Sequence, residues 1–326
     1  MKCEKKVSLQ QAAAMINDGD VLIATGFTIW RKPMALIYEM IRQKKRDLHI
    51  IVNNGSFDVD MLIGAGCVRA METNYCGFEI YGKIGNNYAR ALREEKLIVE
   101  EYSHYHTVMR LAAGAIGVPF TTSVAALGTD LLNPNYDMLK RAGMRDGSNP
   151  YIPREKFKVI EDPFFDGNYT VLLPAAKANV AIALVQQVGS EGTLRMIGQK
   201  AADVEGLKAA DKVIVLAEEI VPEDYLRHEA ELNCLSGLYV DAIVECPWGG
   251  HPSGVHGYYD ADQDFITNYH SKGSRSQQDF DNWAAEWIYG VKDYDEYLDK
   301  LGASRLVNLQ ANRALMYSTS IKRGVR

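Results

Sequence analysis

Helical segments and apolar runs alternate from the start of the chain, and this alternation constrains the fold more than any other feature. Ser8 begins an amphipathic segment whose apolar residues recur at helical spacing up to Ile16. A tight turn leads into the apolar run 21–24, and after a second helix that begins at Pro33 the residues 48–52 form another such run. Strands that are apolar on both faces and alternate with helices indicate a parallel α/β sheet covered on both sides.

Six later segments have the same apolar character, and most of them end in Gly, Asn or acidic residues. Open α/β sheets gather their ligands at the carboxyl ends of the strands. We therefore predict a site built from loops such as 26–32 and 77–82. The further strand candidates lie at residues 68–75, 97–99, 170–173, 180–185, 213–216 and 240–244.

Two parts of the chain depart from the alternation. Residues 133–163 are dominated by Pro, Asn, Gly and charge, which predicts a surface segment, outside the core, that covers a site or a partner. From Ser276 onward, aromatic residues recur at helical spacing among many acids, and this aromatic face either caps the chain's own core or contacts another subunit. We predict an α/β domain over 1–270 and a helical extension, a candidate subunit contact, over 271–326.

Composition and charge exclude several classes of protein. The 326 residues are 47% hydrophobic and 24% charged, so the chain can bury a large core. The net charge is -6 and the Lys and Arg residues are scattered, which argues against a nucleic-acid partner. Neither the polar start of the chain nor any later stretch is apolar enough for a signal peptide or a membrane span, so we expect a cytoplasmic protein with no membrane partner.

Metal, disulfide and nucleotide motifs do not emerge from the sequence. The five cysteines are an odd number without CxxC spacing, and Cys234 and Cys246 lie in apolar surroundings typical of buried thiols. Only His104 and His106 are closely spaced among the seven histidines, and we interpret them as surface residues at a helix start. The chain also lacks a Walker loop, a GxSxG elbow, an HExxH motif and a GxGxxG after the first strand. We predict no metal site.

The residues directly after the first strand stand out. In residues 24–33, Gly26 permits an unusual backbone dihedral or close approach to a ligand, and the helix that follows offers free N–H groups. The alternative is an ordinary strand-to-helix turn that leaves Arg31 and Lys32 on a solvated edge. Spacing alone favours this alternative.

This stretch resembles the A subunit of CoA-transferases of the glutaconate class, in which a Gly-Gly-Phe-Thr segment runs into Asp-Arg-Lys-Pro. Further stretches agree in the same order, so that the likeness is collinear from about Ser8 to Leu309. Each motif is weak alone, whereas the ordered series is specific. The agreeing stretches are residues 58–64, 101–103, 117–120, 162–164, 241–244, 250–253, 257–260 and 292–303.

The resemblance implies a doubly wound α/β fold, a B-type partner subunit of related fold, and a hetero-oligomer of (AB)2 or higher. It also implies CoA esters and free carboxylic acids as substrates, no tightly bound cofactor, and ping-pong transfer through a glutamyl-CoA thioester. Because the nucleophilic glutamate of that family belongs to the B subunit, we expect no catalytic residue in this chain. Glu191 is interpreted as the exposed acid of a turn.

The family pattern places CoA and acyl binding in the first loop on Gly26, Phe27, Thr28, Arg31 and Lys32. This loop is bulkier than the pattern. The first glycine is replaced by threonine at position 25, and the aspartate by tryptophan at position 30.

In the second loop, the resemblance places Gly77, Phe78 and Glu79 at the acyl pocket, where the family carries small and hydroxyl residues. Phe78 is expected to crowd a distal carboxylate and Glu79 to repel it, since like charges in one pocket disfavour each other. Monocarboxylates should then be preferred. Alternatively, Glu79 turns away and pairs with Lys83 on the surface.

Two other functions remain compatible with the sequence. Ring-opening CoA-thioester hydrolases look like the same two-subunit fold without the B-subunit nucleophile, and in that case Glu101 is the catalytic candidate. A non-catalytic ligand-binding domain or a sugar-phosphate isomerase-like domain is the third possibility, because one fold hosts many functions. A neighbouring B-type gene with a glutamate in its nucleophile loop would favour transfer.

Overall fold

The computed structural model describes residues 3–321, and the ends of the two predicted domains, residues 1–2 and 322–326, lie outside the described residues. No helix within that range combines the length and the apolarity needed to cross a bilayer. The strands are β1 (Val21–Phe27), β2 (Leu48–Asn54), β3 (Val68–Thr73), β4 (Ile98–Glu101), β5 (Phe120–Ser123), β6 (Lys158–Glu161), β7 (Tyr169–Pro174), β8 (Ala178–Gly189), β9 (Leu194–Arg195), β10 (Ala210–Val221), β11 (Asn233–Leu235) and β12 (Ala242–Glu245). The α-helices are α1 (Leu9–Ala14), α2 (Met34–Arg42), α3 (Phe57–Gly64), α4 (Asn86–Arg93), α5 (His104–Ile116), α6 (Met138–Arg141), α7 (Asp203–Lys208), α8 (Glu223–His228), α9 (Gln263–Asn268), α10 (Gln277–Ala284), α11 (Tyr294–Leu301) and α12 (Ala303–Leu309).

Parallel strands form the centre of the molecule in the order β12-β10-β8-β1-β2-β3-β4. The short strands β9 and β11 extend this sheet in the antiparallel sense beside the end of β8. The chain moves outward from β1 to β4 on one side and from β8 to β12 on the other. The direction of winding therefore reverses between β1 and β8, and the predicted doubly wound, mostly parallel sheet is confirmed.

The packing of β1 on both sides explains why its sequence lacks a polar face. Leu22 and Ala24 point into a core formed with α1, α2 and α3, whereas Val21 and Ile23 point into a second core with α5 and α7. Alternate residues of a strand face opposite sides of a sheet, so a central strand must be apolar on both.

The segment 133–163 has secondary structure of its own, and the prediction that it lies outside the core was wrong for Leu139 and Ile152, which are buried in the core beside α5 and α7. It contains α6 and β6, and β6 joins a separate antiparallel sheet in the order β5-β7-β6. The strand expected at 170–173 is β7, which belongs to this small sheet and not to the main one. Buried ion pairs attach the segment to β4: Lys156 lies 2.6 Å from Glu100, and Arg145 contacts both Glu100 and Asp137.

The aromatic face of the C-terminal extension packs on the chain's own core. The ring of Tyr38, in α2, lies 6.4 Å from Trp283, 6.5 Å from Tyr294 and 5.2 Å from Tyr297, between ring centroids. All four side chains are buried. Of the two roles predicted for this face, capping the chain's own core explains why its aromatic side chains are buried. Contact of the extension with another subunit remains a prediction.

Candidate functional site

The loop after β1 lies at the point where the winding of the sheet reverses. Phe27 N donates to Trp30 O at 3.0 Å and Trp30 N donates back to Phe27 O at 2.9 Å, so the loop closes tightly on itself. Gly26 has a φ of +87°, and a Cβ placed there would lie 2.6 Å from Arg31 O. Glycine is therefore required because the loop's own carbonyls occupy the space of a side chain.

A buried carboxylate clamps this loop from the other half of the sheet. Asp203, the first residue of α7, accepts a hydrogen bond from Gly26 N at 2.8 Å and forms an ion pair with Arg31. Their side chains are 5% and 3% exposed, respectively. Sequence reasoning missed Asp203, because an acid in the first turn of a helix is an ordinary feature and Arg31 lies 172 residues away along the chain.

Lys32 is fully buried beneath the same loop. Its Nζ lies 3.1 Å from Asp58 Oδ2, at the start of α3, and donates to Asn54 O at 2.8 Å and Gly26 O at 3.2 Å. The interpretation of Arg31 and Lys32 as a solvated edge is therefore wrong. Buried charges persist only with close partners, and both cations have an acidic one.

A third segment, residues 249–254, supports the loop from behind. Arg31 N donates to Gly254 O at 2.8 Å, and Lys32 N donates to Ser253 Oγ at 2.9 Å. A side chain at Gly254 would meet the Trp30 ring at 2.5 Å, so the bulky residue of this loop packs on a glycine. The loop is thus held at both its backbone and its side chains.

Phe78, in the second predicted loop, is a core residue. Its side chain is fully buried, with ring centroids 6.0 Å from Phe57, 5.9 Å from Tyr269 and 5.5 Å from His270. Phe78 was expected to crowd the acyl group, but its ring packs inside the core instead. Its ring supports the loop from within because apolar partners surround it.

Glu79 joins the two predicted loops. Its side chain is exposed, and its Oε1 accepts a hydrogen bond from the hydroxyl of Thr28 in the first loop. Its backbone N–H donates to Tyr75 Oη at 3.2 Å, while Gly77 N donates to Gly55 O at 3.2 Å. The observed partner of Glu79 is Thr28 and not Lys83. The structure therefore brings the two predicted loops, residues 26–32 and 77–82, together at Thr28 and Glu79. The surface that these two loops form is the rim.

Glu101, the candidate of the hydrolase alternative, is exposed at the end of β4. It lines a cleft of about 540 Å³ with Tyr88 and Lys156. The first loop reaches towards this region, since Phe27 contacts the ring of His104 edge-to-face at 6.3 Å.

The two closely spaced histidines differ in their environment. His104 is exposed at the start of α5, as predicted. His106 is buried, with Nε2 3.1 Å from Ala125 O, so the prediction of a surface position was wrong for this residue. Burial also lowers the pKa of His106. It occupies the inward face of the helix, which the two-residue spacing did not reveal.

Cys76 and Glu191 have contrasting environments. Cys76 is buried beside Gly77, and burial raises the pKa of its thiol well above the ordinary value. Glu191 is exposed and lies in the turn at 190–191, which confirms its interpretation as a turn acid, and it pairs with Arg227 at 2.6 Å. All five cysteines are free; Cys246 is buried and Cys234 half-buried.

Comparisons with known proteins agree over almost the whole chain. Residues 6–246 match the family described as coenzyme A transferase. The chain is 36% identical over 314 residues to the A subunit of glutaconate CoA-transferase from Acidaminococcus fermentans, covering 96% of this chain and 97% of the relative. It is 31% identical over 299 residues to the A subunit of 3-oxoadipate CoA-transferase from Pseudomonas knackmussii, covering 89% and 95%. The crystal structure of glutaconate coenzyme A-transferase from Acidaminococcus fermentans matches with a TM-score of 0.91 at 35% identity, covering 97% of this chain and 98% of that one.

Proposed function

The chain belongs to the coenzyme A transferase family as an A-type subunit, and we propose that, with a B-type partner, it exchanges CoA between two carboxylic acids by a ping-pong mechanism. The observation that carries this proposal is the near full-length likeness to A subunits of CoA-transferases. The loop after β1, at the winding reversal of the sheet, provides a rigid platform for such a reaction.

In the proposed reaction, a glutamate of the B-type partner attacks the acyl-CoA carbonyl. The CoA thiolate leaves and a mixed anhydride forms. The thiolate then attacks the glutamyl carbonyl, which gives a glutamyl-CoA thioester and releases the first acid as its carboxylate. The second acid reverses both steps and leaves as the new CoA ester. This is covalent catalysis by a carboxylate, supported by the binding energy of the CoA body.

This chain contributes a preformed binding rim. Gly26, Phe27 and Thr28 present the loop, while Arg31 and Lys32 hold it through buried ion pairs with Asp203 and Asp58. A loop already fixed in its bound shape loses little conformational entropy when substrate binds. Gly77 and Glu79 complete the rim.

We further propose that Glu79 sets the acyl specificity. Its exposed carboxylate lies at the rim beside Thr28, where a second carboxylate on the acyl group would be repelled in a partly dehydrated site. Monocarboxylic or hydroxylated acids should be used in preference to glutaconate or glutarate. The two loops that meet at Thr28 and Glu79 support this assignment.

The specificity test compares Glu79→Ser with Glu95→Ser in the complex made with the B-type partner. Both glutamates are exposed and have a positive φ, 55° and 53°, but Glu95 follows α4, outside the rim. Glu79→Ser should shift the ratio of kcat/KM values for one mono- and one dicarboxylate towards the dicarboxylate by about 1–3 kcal/mol. An unchanged ratio, or an equal shift in Glu95→Ser, refutes the role of Glu79.

The transferase reaction itself is tested by producing the chain with and without its partner. The chain alone should be inactive and partly aggregated, and the complex should carry CoA on a glutamate of the B-type chain after incubation with acyl-CoA. Glu101→Gln should leave transfer largely intact. Full turnover by the chain alone refutes the proposal. Loss of thioester hydrolysis in Glu101→Gln, without any CoA adduct on the partner, would establish the hydrolase instead.

A further inference from the structure

Strand β6 is a free edge of the small antiparallel sheet. It pairs with β7 on one side only, and all four of its residues are exposed. Just beyond the strand, Asp162 N donates to Asn168 O at 3.0 Å. Because antiparallel ladders alternate, Lys158 and Ile160 also bond inward to β7, and the backbone N–H and C=O groups of Val159 and Glu161 point outward. These outward groups form a template for another strand.

Apolar surface lies at both ends of this edge. The hairpin loop between β6 and β7 carries Phe164 and Phe165, which are 85% and 67% exposed. At the other end of β6 is a cleft of about 610 Å³ whose lining includes Phe157, Phe120 and Leu172. Phe165 lines another cleft, with Val159 and Tyr169 on the other face of the sheet, so Phe164 is the apolar side chain that a neighbouring strand would meet.

We propose that β6 pairs antiparallel with β6 of a second copy of this chain, about a two-fold axis at Ile160. Outward groups must meet outward groups, so Val159 lies opposite Glu161 of the second copy and Ile160 lies opposite its own equivalent. Lys158 then faces Asp162 of the second copy, and symmetry repeats this ion pair on the other side of the axis. The sequence of the edge is thus self-complementary in charge.

Charge also excludes the neighbouring registers. A shift of one step towards the hairpin places Glu161 opposite Glu161, and like charges directly opposite destabilise a strand pair. A shift in the other direction places Lys158 opposite Ile160 and loses both ion pairs. The present contact of Lys158 with Glu155, at 3.2 Å between two exposed side chains, is of the kind that contributes little, so exchanging it costs little.

The favoured register also joins the two apolar ends. Residues 163–165 of one copy come alongside residues 155–157 of the other, which brings the exposed ring of Phe164 to the end of the strand where Phe157 lies. The same patch serves both copies, so the contact is isologous and closes after two chains. The structure therefore assigns this edge to contact between two A-type chains, independently of the reaction they perform.

A disulfide test uses the complex made with the B-type partner. Equivalent residues of a non-hydrogen-bonded pair have Cα atoms about 4.5 Å apart, which a disulfide can span, so Ile160→Cys should cross-link two copies of the chain on mild oxidation. Val159→Cys, which would face Glu161, is the matched control and should not cross-link; neither should the wild type. No dimer from Ile160→Cys, or a cross-link to the B-type chain in its place, overturns the proposal.

Charge reversal provides a second, independent readout. Native mass spectrometry should find half as many copies of the chain per complex in Lys158→Asp as in the wild type. Lys158→Arg keeps the charge and should keep the wild-type number of copies, and the exposed-site control Lys177→Asp should have no effect. An unchanged copy number in Lys158→Asp, or a reduced one in Lys158→Arg, refutes the pairing.

Discussion

Asp203→Asn isolates the charge of the clamp that holds the loop after β1. The ion pair with Arg31 is buried, with side chains 3% and 5% exposed, so removing the carboxylate leaves an uncompensated guanidinium in the interior. Such a loss costs about 3–5 kcal/mol. The amide oxygen of asparagine still accepts from Gly26 N, whereas Asp203→Ala also loses that bond, at a further cost of about 1–3 kcal/mol. The two variants therefore separate the ion pair from the hydrogen bond.

The assay is urea denaturation of the complex at one fixed protein concentration, with kcat/KM measured in parallel. Glu205→Gln changes a half-buried acid in the same helix and should leave both quantities near the wild-type values. In Arg31→Met, Asp203→Leu both charges are absent, so most of the stability should return, while kcat/KM stays low because Gly26 has lost its anchor. If Asp203→Asn is as stable as Glu205→Gln, the buried pair does not hold the loop.

Three further changes test the remaining elements. Gly26→Val should abolish turnover while far-UV circular dichroism stays native, because the side chain meets Arg31 O at about 2.6 Å and displaces the loop only; retained activity would contradict this. Arg31→Ala should raise KM for the CoA ester more than it lowers kcat, as steady-state kinetics will show, because the binding rim loses its order; an unchanged KM would argue against it. Burial raises the pKa of Glu218 from 4.5 to about 8, so the folded state retains a proton that the unfolded state releases, and stability should fall as pH rises through this window. Glu218→Gln should flatten that decline in urea midpoints measured across the window, and an equal slope in both proteins would exclude Glu218 as its source.

The sequence alone determined the elements whose signals are local. The run 21–24 is apolar at every position, and this requires burial on both faces, which the opposite directions of Leu22 and Ile23 confirm. Ser8 and Gln11 form a capping box within three residues, so the start of α1 was readable from the pattern. The ordered motifs likewise identified the family, because they extend along the whole chain.

Tertiary structure alone decided which distant groups meet. Arg31 finds Asp203 across 172 residues because the winding reverses between β1 and β8, and no periodic pattern encodes that neighbourhood. The direction of Phe78 was likewise decided by Phe57 in α3 and by Tyr269 directly after α9, whose rings lie against its own. Periodicity records which side of an element avoids water, whereas the partner of a buried charge depends on the path of the whole chain.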